Sequence, residues 1–81
     1  MKGGYKMNTD AKKEIGQIIK DNRKSKNMTQ QALADDCEMS RTYLADVESG
    51  RYSPSAAVLA KIFTVLNIDL NLLKNVVNTD K

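Results

Sequence analysis

Four side chains set the chemistry open to this chain: Arg41, Thr42, Ala45 and Asp46, within the run Ser40-Arg41-Thr42-Tyr43-Leu44-Ala45-Asp46-Val47. If that run is helical, Leu44 and Val47 share an inward face at a spacing of three, and the quartet lies off it. A guanidinium fork, a hydroxyl, two methyl groups and a carboxylate can donate, accept and make apolar contact, which is a repertoire for recognition. Bond-making chemistry is not provided for. The chain has no histidine and a single cysteine, and lacks a glycine-rich phosphate loop, so the usual acid–base and nucleophilic constellations cannot be assembled. No enzyme activity is expected, and with one thiol and no imidazole no metal or other cofactor is expected either.

The elements that must hold this quartet can be read around it. Ser40 is placed to cap the helix that carries it, and Thr29 to cap a preceding helix that buries Leu33, Ala34 and Cys37. A turn of about three or four residues joins the two, which is the build of a helix-turn-helix, a unit whose second helix probes the major groove of DNA. Gly50 ends that second helix, and Tyr52-Ser53-Pro54-Ser55 reads as a loop. Upstream, a first helix opens with Thr9 or Asp10 as cap and runs to about Ser25, with Ala11, Ile15, Ile18, Ile19 and Asn22 on one stripe and Asn27 in the left-handed position after it. Downstream, a fourth helix from about Ser55 to Leu66 presents Val58, Leu59, Ile62, Phe63 and Leu66, and Asn67 follows it as Asn27 follows the first. Asp69 would cap a fifth, Leu70 to about Val77, with Leu70, Leu73 and Val77 on one face. Leu72 and Val76 lie about 100° round that helix, and this second apolar face is either a dimer contact or a lid on the core of a small domain. The expected architecture is all-α: a mobile arm over residues 1–8, one compact five-helix domain over 9–77 and a tail over 78–81.

Composition narrows the partners. Eighty-one residues with 41% hydrophobic content fit one domain. The longest apolar stretch falls far short of the roughly 20 residues of a membrane span, and the first residues lack the apolar segment of a signal peptide. No membrane association is expected, and the predicted location is cytoplasmic. Cys37 reads as a small buried apolar residue. The net charge of +3 is unevenly spread: residues 1–26 sum to +5, residues 29–50 to −4 and residues 51–81 to +2. Attraction to phosphate must therefore come from the first helix and from residues after Gly50.

With the segments in place, the chain resembles the lambda-repressor-like family of helix-turn-helix proteins, of the Cro/CI or XRE type. The resemblance covers about residues 12–74. Its marks are Ile19 and Arg23, Met28-Thr29-Gln30, Leu33-Ala34, Met39-Ser40, Tyr43-Leu44, Val47-Glu48-Ser49-Gly50, Pro54-Ser55, Leu59, Ile62, Leu66 and Leu70, all in register. The resemblance implies that Arg23 pairs with Glu48 as a structural salt bridge, and a carboxylate at a helix C-terminus does need a cation. It implies base contacts by Arg41, Thr42 and Asp46, with Ala45 beside them. Arg41 suits guanine O6 and N7, Thr42 a hydroxyl contact or a thymine methyl, and Asp46 cytosine N4, unless Asp46 instead orients Arg41 or Thr42. Phosphate contacts fall by the same resemblance to Thr29, Gln30, Ser40, Tyr43, Ser49, Arg51 and Tyr52. Free amides at helix N-termini support Gln30 and Ser40 independently, while Tyr43 could equally pack against the second helix. Two positions depart from the family pattern. Glu38 stands where the turn usually carries glycine, and a left-handed conformation there would cost about 1–2 kcal/mol. Asn22 stands at a usually apolar place and must find a partner or reach solvent.

The function implied is a regulator of transcription, a repressor that binds an inverted-repeat double-stranded DNA operator as a homodimer and is relieved by a partner such as an anti-repressor protein. A DNA-binding antitoxin that sequesters a toxin protein, and a protein-interaction adaptor on the same fold, are the alternatives. The acidic cluster Asp35, Asp36, Glu38 speaks for the first of these and the −4 charge of residues 29–50 for the second.

Overall fold

The computed structural model of the chain describes residues 9–69 and Asn71. Within these residues four helices follow one another: α1 Thr9–Ser25, α2 Gln30–Asp36, α3 Arg41–Glu48 and α4 Ala56–Leu66. No strand is present among the described residues. The expected fifth helix, with Leu72 and Val76, lies outside them, as do the arm and the tail; at its predicted start Asp69 Oδ1 accepts from the Asn71 amide at 2.9 Å.

The helices start and stop by repeated local chemistry. Thr29, Ser40 and Ser55 each sit in extended backbone, and each hydroxyl accepts the amide three residues on, from Ala32 at 3.0 Å, Tyr43 at 3.0 Å and Val58 at 3.2 Å. One otherwise unpaired first-turn amide is thereby satisfied in each helix. At the other end each helix closes on a left-handed residue: Asn27 at φ 59, Glu38 at φ 58, Gly50 at φ 81 and Asn67 at φ 58. The paired reverse bonds of a Schellman motif accompany each one. Met28 donates to Arg23 O at 3.1 Å, Met39 to Ala34 O at 2.9 Å, Arg51 to Asp46 O at 3.0 Å and Ile68 to Phe63 O at 2.8 Å. The turn at Glu38 thus keeps the left-handed geometry despite its side chain.

The core gathers one stripe from every helix. Ile15 and Ile19 of α1 meet Leu33, Ala34 and Cys37 from α2 and its end, Leu44 and Val47 of α3, and Leu59, Ile62, Phe63 and Leu66 of α4, with Ile68 beyond. Ile18 and Val58 are half-buried at its edge. Asn22 is half-buried too, and its Nδ2 donates to the Ile18 carbonyl at 2.8 Å, so the polar group finds its partner within its own helix. Gly16 lets α1 and α3 meet closely: a Cβ there would lie 2.6 Å from the Val47 carbonyl oxygen and closer still to that of Glu48. In the sequence the only signal of this close approach is an isolated glycine within a helical pattern.

Candidate nucleic-acid interface

The outward side of the two-helix unit is built on a buried ion pair. Arg23 of α1 donates from Nε to Glu48 Oε2 at 2.7 Å and from Nη2 to Oε1 at 3.1 Å, a forked pair between two residues each 7% exposed. Its third bond, from Nη1 to the Met28 carbonyl at 2.8 Å, ties in the α1–α2 connection. One guanidinium therefore fixes the C-terminal end of α3 to the end of α1 and to the entry of α2. Such geometry is needed if two desolvated charges are to be held without net loss. The carboxylate closes a helix whose last carbonyls already carry negative partial charge, so the arginine also offsets the dipole.

From this pair a chain of polar contacts runs to the surface. Gln30, the first residue of α2, donates from Nε2 to Glu48 Oε1 at 3.1 Å, and its Oε1 accepts from Arg41 Nη1 at 3.4 Å. Arg41 is exposed in the first turn of α3, with Thr42 exposed beside it and Ala45 and Asp46 half-buried one turn on. Leu44 and Val47 are buried on the opposite side, while Glu48, two turns on from Arg41, is buried against Arg23. The four residues singled out by spacing thus share the side of α3 turned away from the core, and one of them is tethered through Gln30 to the buried pair. The sequence carried no sign of this bridge, because a glutamine at a helix start reads equally well as a cap-region polar residue.

The loop after α3 is folded back onto Asp46. The Asp46 carbonyl accepts from the Ser49 hydroxyl at 3.0 Å and from the amides of Arg51 at 3.0 Å and Tyr52 at 3.2 Å. Arg51 Nη1 lies 3.7 Å from Asp46 Oδ1 in a largely exposed pair. The Asp46 carboxylate thus pairs across the turn with Arg51. Tyr43 is half-buried, and its ring meets Tyr52 edge-on at 5.1 Å and 67°, so its aromatic partner is the loop rather than α2. Burial, with Tyr52 adding, pushes the Tyr43 phenol above its ordinary value. Tyr52 is the one large hydrophobic residue left exposed among those described, at 51%. Thr29, Ser40, Ser49 and Arg51 are exposed on the same unit, the first two engaged as caps. No cluster of metal-ligating side chains occurs among the described residues, and no described helix is long and apolar enough to cross a membrane.

Comparison with known proteins places this geometry among relatives. The helix-turn-helix family model matches residues 19–73. The chain is 50% identical over 62 residues to the ImmF control region 10 kDa protein of Bacillus phage phi105, covering 76% of this chain and 69% of that protein. It is 41% identical over 59 residues to the immunity repressor protein of the same phage, covering 73% of this chain and 41% of that protein. Among solved structures, the restriction-modification controller protein C.AhdI from Aeromonas hydrophila superposes with a TM-score of 0.74 at 28% identity, over 80% of this chain and 94% of that one.

Proposed function

The chain belongs to the helix-turn-helix family of DNA-binding transcription regulators, of the Cro/CI or XRE type, and on that premise we propose that it is a repressor that binds an inverted-repeat operator as a homodimer. The observation that carries the proposal is the division of α3, which buries Leu44, Val47 and Glu48 while Arg41 and Thr42 stand exposed in its first turn. Arg41, Thr42, Ala45 and Asp46 read base edges in the major groove, Arg41 as a two-pronged donor to guanine. Thr29, Gln30, Ser40, Tyr43, Ser49, Arg51 and Tyr52 flank them and take the phosphates, which fixes the register of the helix in the groove. One such helix spans too few base pairs to find a unique site, and a two-fold pair set about 34–36 Å apart doubles the reading. Leu72 and Val76 supply the contact between the two copies. Similarity to a phage immunity repressor supports repression, by occupation of a promoter.

The test is Arg41→Ala. Arg41 is exposed, so the variant keeps its fold by circular dichroism and its melting temperature. It loses discrimination at one guanine per half-site by about 1–3 kcal/mol. A folded Arg41→Ala protein with undiminished selectivity contradicts the assigned readout.

A further inference from the structure

Three of the four helix ends carry an apolar residue after the left-handed turn: Met28, Met39 and Ile68. In a Schellman motif that residue commonly makes a hydrophobic contact with the helix's last turn. At the end of α3 the equivalent residue is Arg51, and the residue it folds back on is Asp46. The place of the apolar contact is taken by an ion pair, Arg51 Nη1 to Asp46 Oδ1 at 3.7 Å, with side chains 78% and 38% exposed. An exposed pair at this distance adds less than about 1 kcal/mol to folding, so stability does not account for it. Its position does. Three donors converge on the Asp46 carbonyl, two of them the backbone amides of Arg51 and Tyr52. The Arg51 backbone is thereby fixed against the last turn of α3, which keeps its guanidinium within reach of the Asp46 carboxylate.

Asp46 is the acidic member of the quartet, in a two-helix unit whose residues 29–50 sum to −4 with Arg41 as their one basic side chain. A carboxylate brought into a groove between two rows of phosphates is repelled by both. We propose that Asp46 and Arg51 act on DNA as one specificity element: Arg51 spans the Asp46 carboxylate and a backbone phosphate, cancels the repulsion and aims the free carboxylate oxygen at a base amino group, that of cytosine. Arg51 is the positioning residue and Asp46 the base-selecting one. The inference rests on the DNA-reading function proposed above and deepens it, since it makes a phosphate contact a determinant of sequence choice.

The experiment is a double-mutant cycle on the full chain, with Asp46→Asn, Arg51→Gln and the double variant. Each is scored for affinity to the duplex that wild-type protein selects from a random pool, and for base preference by repeated selection. Arg51→Gln loses at least tenfold in affinity and also loses its preference at the position read by Asp46, which removal of a plain phosphate contact leaves unchanged. The double variant binds several-fold more tightly than Arg51→Gln, because the unpaired carboxylate is gone. Arg51→Lys keeps most of the wild-type preference. Additive effects on affinity, or an Arg51→Gln protein with wild-type base preference, overturn the pairing and leave the DNA-reading function standing. A wild-type protein that selects no motif at all overturns that function, and the pairing with it.

Discussion

Arg23 and Glu48 are the residues on which the most structure depends. Removing one partner of a buried, hydrogen-bonded pair strands the other charge, at about 3–5 kcal/mol. That is a large share of the roughly 5–15 kcal/mol available to a small domain. Arg23→Met is accordingly expected to lower the urea midpoint by an amount corresponding to that loss, and to loosen α3 where Gln30 links Glu48 to Arg41. Cys37 makes a quieter prediction. Burial pushes its thiol above the ordinary value of 9.0, with Asp36 adding to the rise and Lys61 opposing it. A raised folded value means that the unfolded chain gives up its thiol proton first. This contribution to stability is therefore complete below pH 9.0 and is lost as pH rises through the folded value. Stability of the wild-type chain should fall more steeply above pH 9.0 than that of Cys37→Ala, and a thiol reagent should label the native protein slowly. Equal slopes and fast labelling would contradict the buried environment. The burial of Cys37 was legible from its place beside Leu33 and Ala34, and the Arg23–Glu48 pairing was implied by family resemblance. The Gln30 bridge and the Tyr43–Tyr52 contact were not legible, because each depends on how two elements lie in space and neither has a sequence period.

Among the elements, the starts of α2 and α3 and the left-handed stops were the most readable parts, whereas α1 already includes Thr9 and Asp10, the residues expected to cap it. Thr29, Ser40 and Ser55 act as caps because a short hydroxyl competes well for a first-turn amide, and Asn27 and Asn67 turn left-handed because an amide side chain tolerates that conformation. Glu38 is the exception that composition could not decide. It holds φ 58 in the turn between α2 and α3, and its carboxylate lies 3.5 Å from Lys61 in an exposed pair that offsets little of the strain. Glu38→Gly should raise stability by about 0.5–1 kcal/mol, the relief of left-handed strain less the added freedom of glycine in the unfolded chain. A melting curve that moves down instead would show the side chain to matter more than the strain. Gly16 gives the opposite expectation. Gly16→Ala drives a methyl into the Val47 and Glu48 carbonyls, and backbone cannot move aside as a side chain can. The loss is expected to reach at least about 1–3 kcal/mol in chemical denaturation, whereas alanine would improve an ordinary helical site.

At the scale of the whole molecule, the all-helical class and the run of α1 to α4 followed from apolar spacing and punctuation alone. The fifth helix was argued from Leu70, Leu73 and Val77 by the same reasoning and lies outside the described residues. Assembly is the property that such spacing leaves open, since Leu72 and Val76 would be apolar whether they closed a core or met a second copy. If they form the contact between copies, Leu72→Asp with Val76→Asp gives a monomer by sedimentation and turns steep operator binding into weak, non-cooperative binding. Sedimentation of that variant as a dimer would place the contact elsewhere. The charge pattern adds a prediction on salt. With residues 29–50 at −4, non-specific binding draws on few cations, so it should be weak already at low salt and its affinity should fall with only a shallow slope as salt rises.

The central claim is that α3 reads sequence and that two copies read it together. Selection of bound duplexes from a random pool at about 0.15 M salt tests both at once, because that ionic strength suppresses binding through phosphates alone. A two-fold symmetric motif is the predicted result, with a guanine in each half-site whose preference disappears with Arg41→Ala. Recovery of no motif by folded protein, or of an asymmetric one indifferent to Arg41, would contradict it.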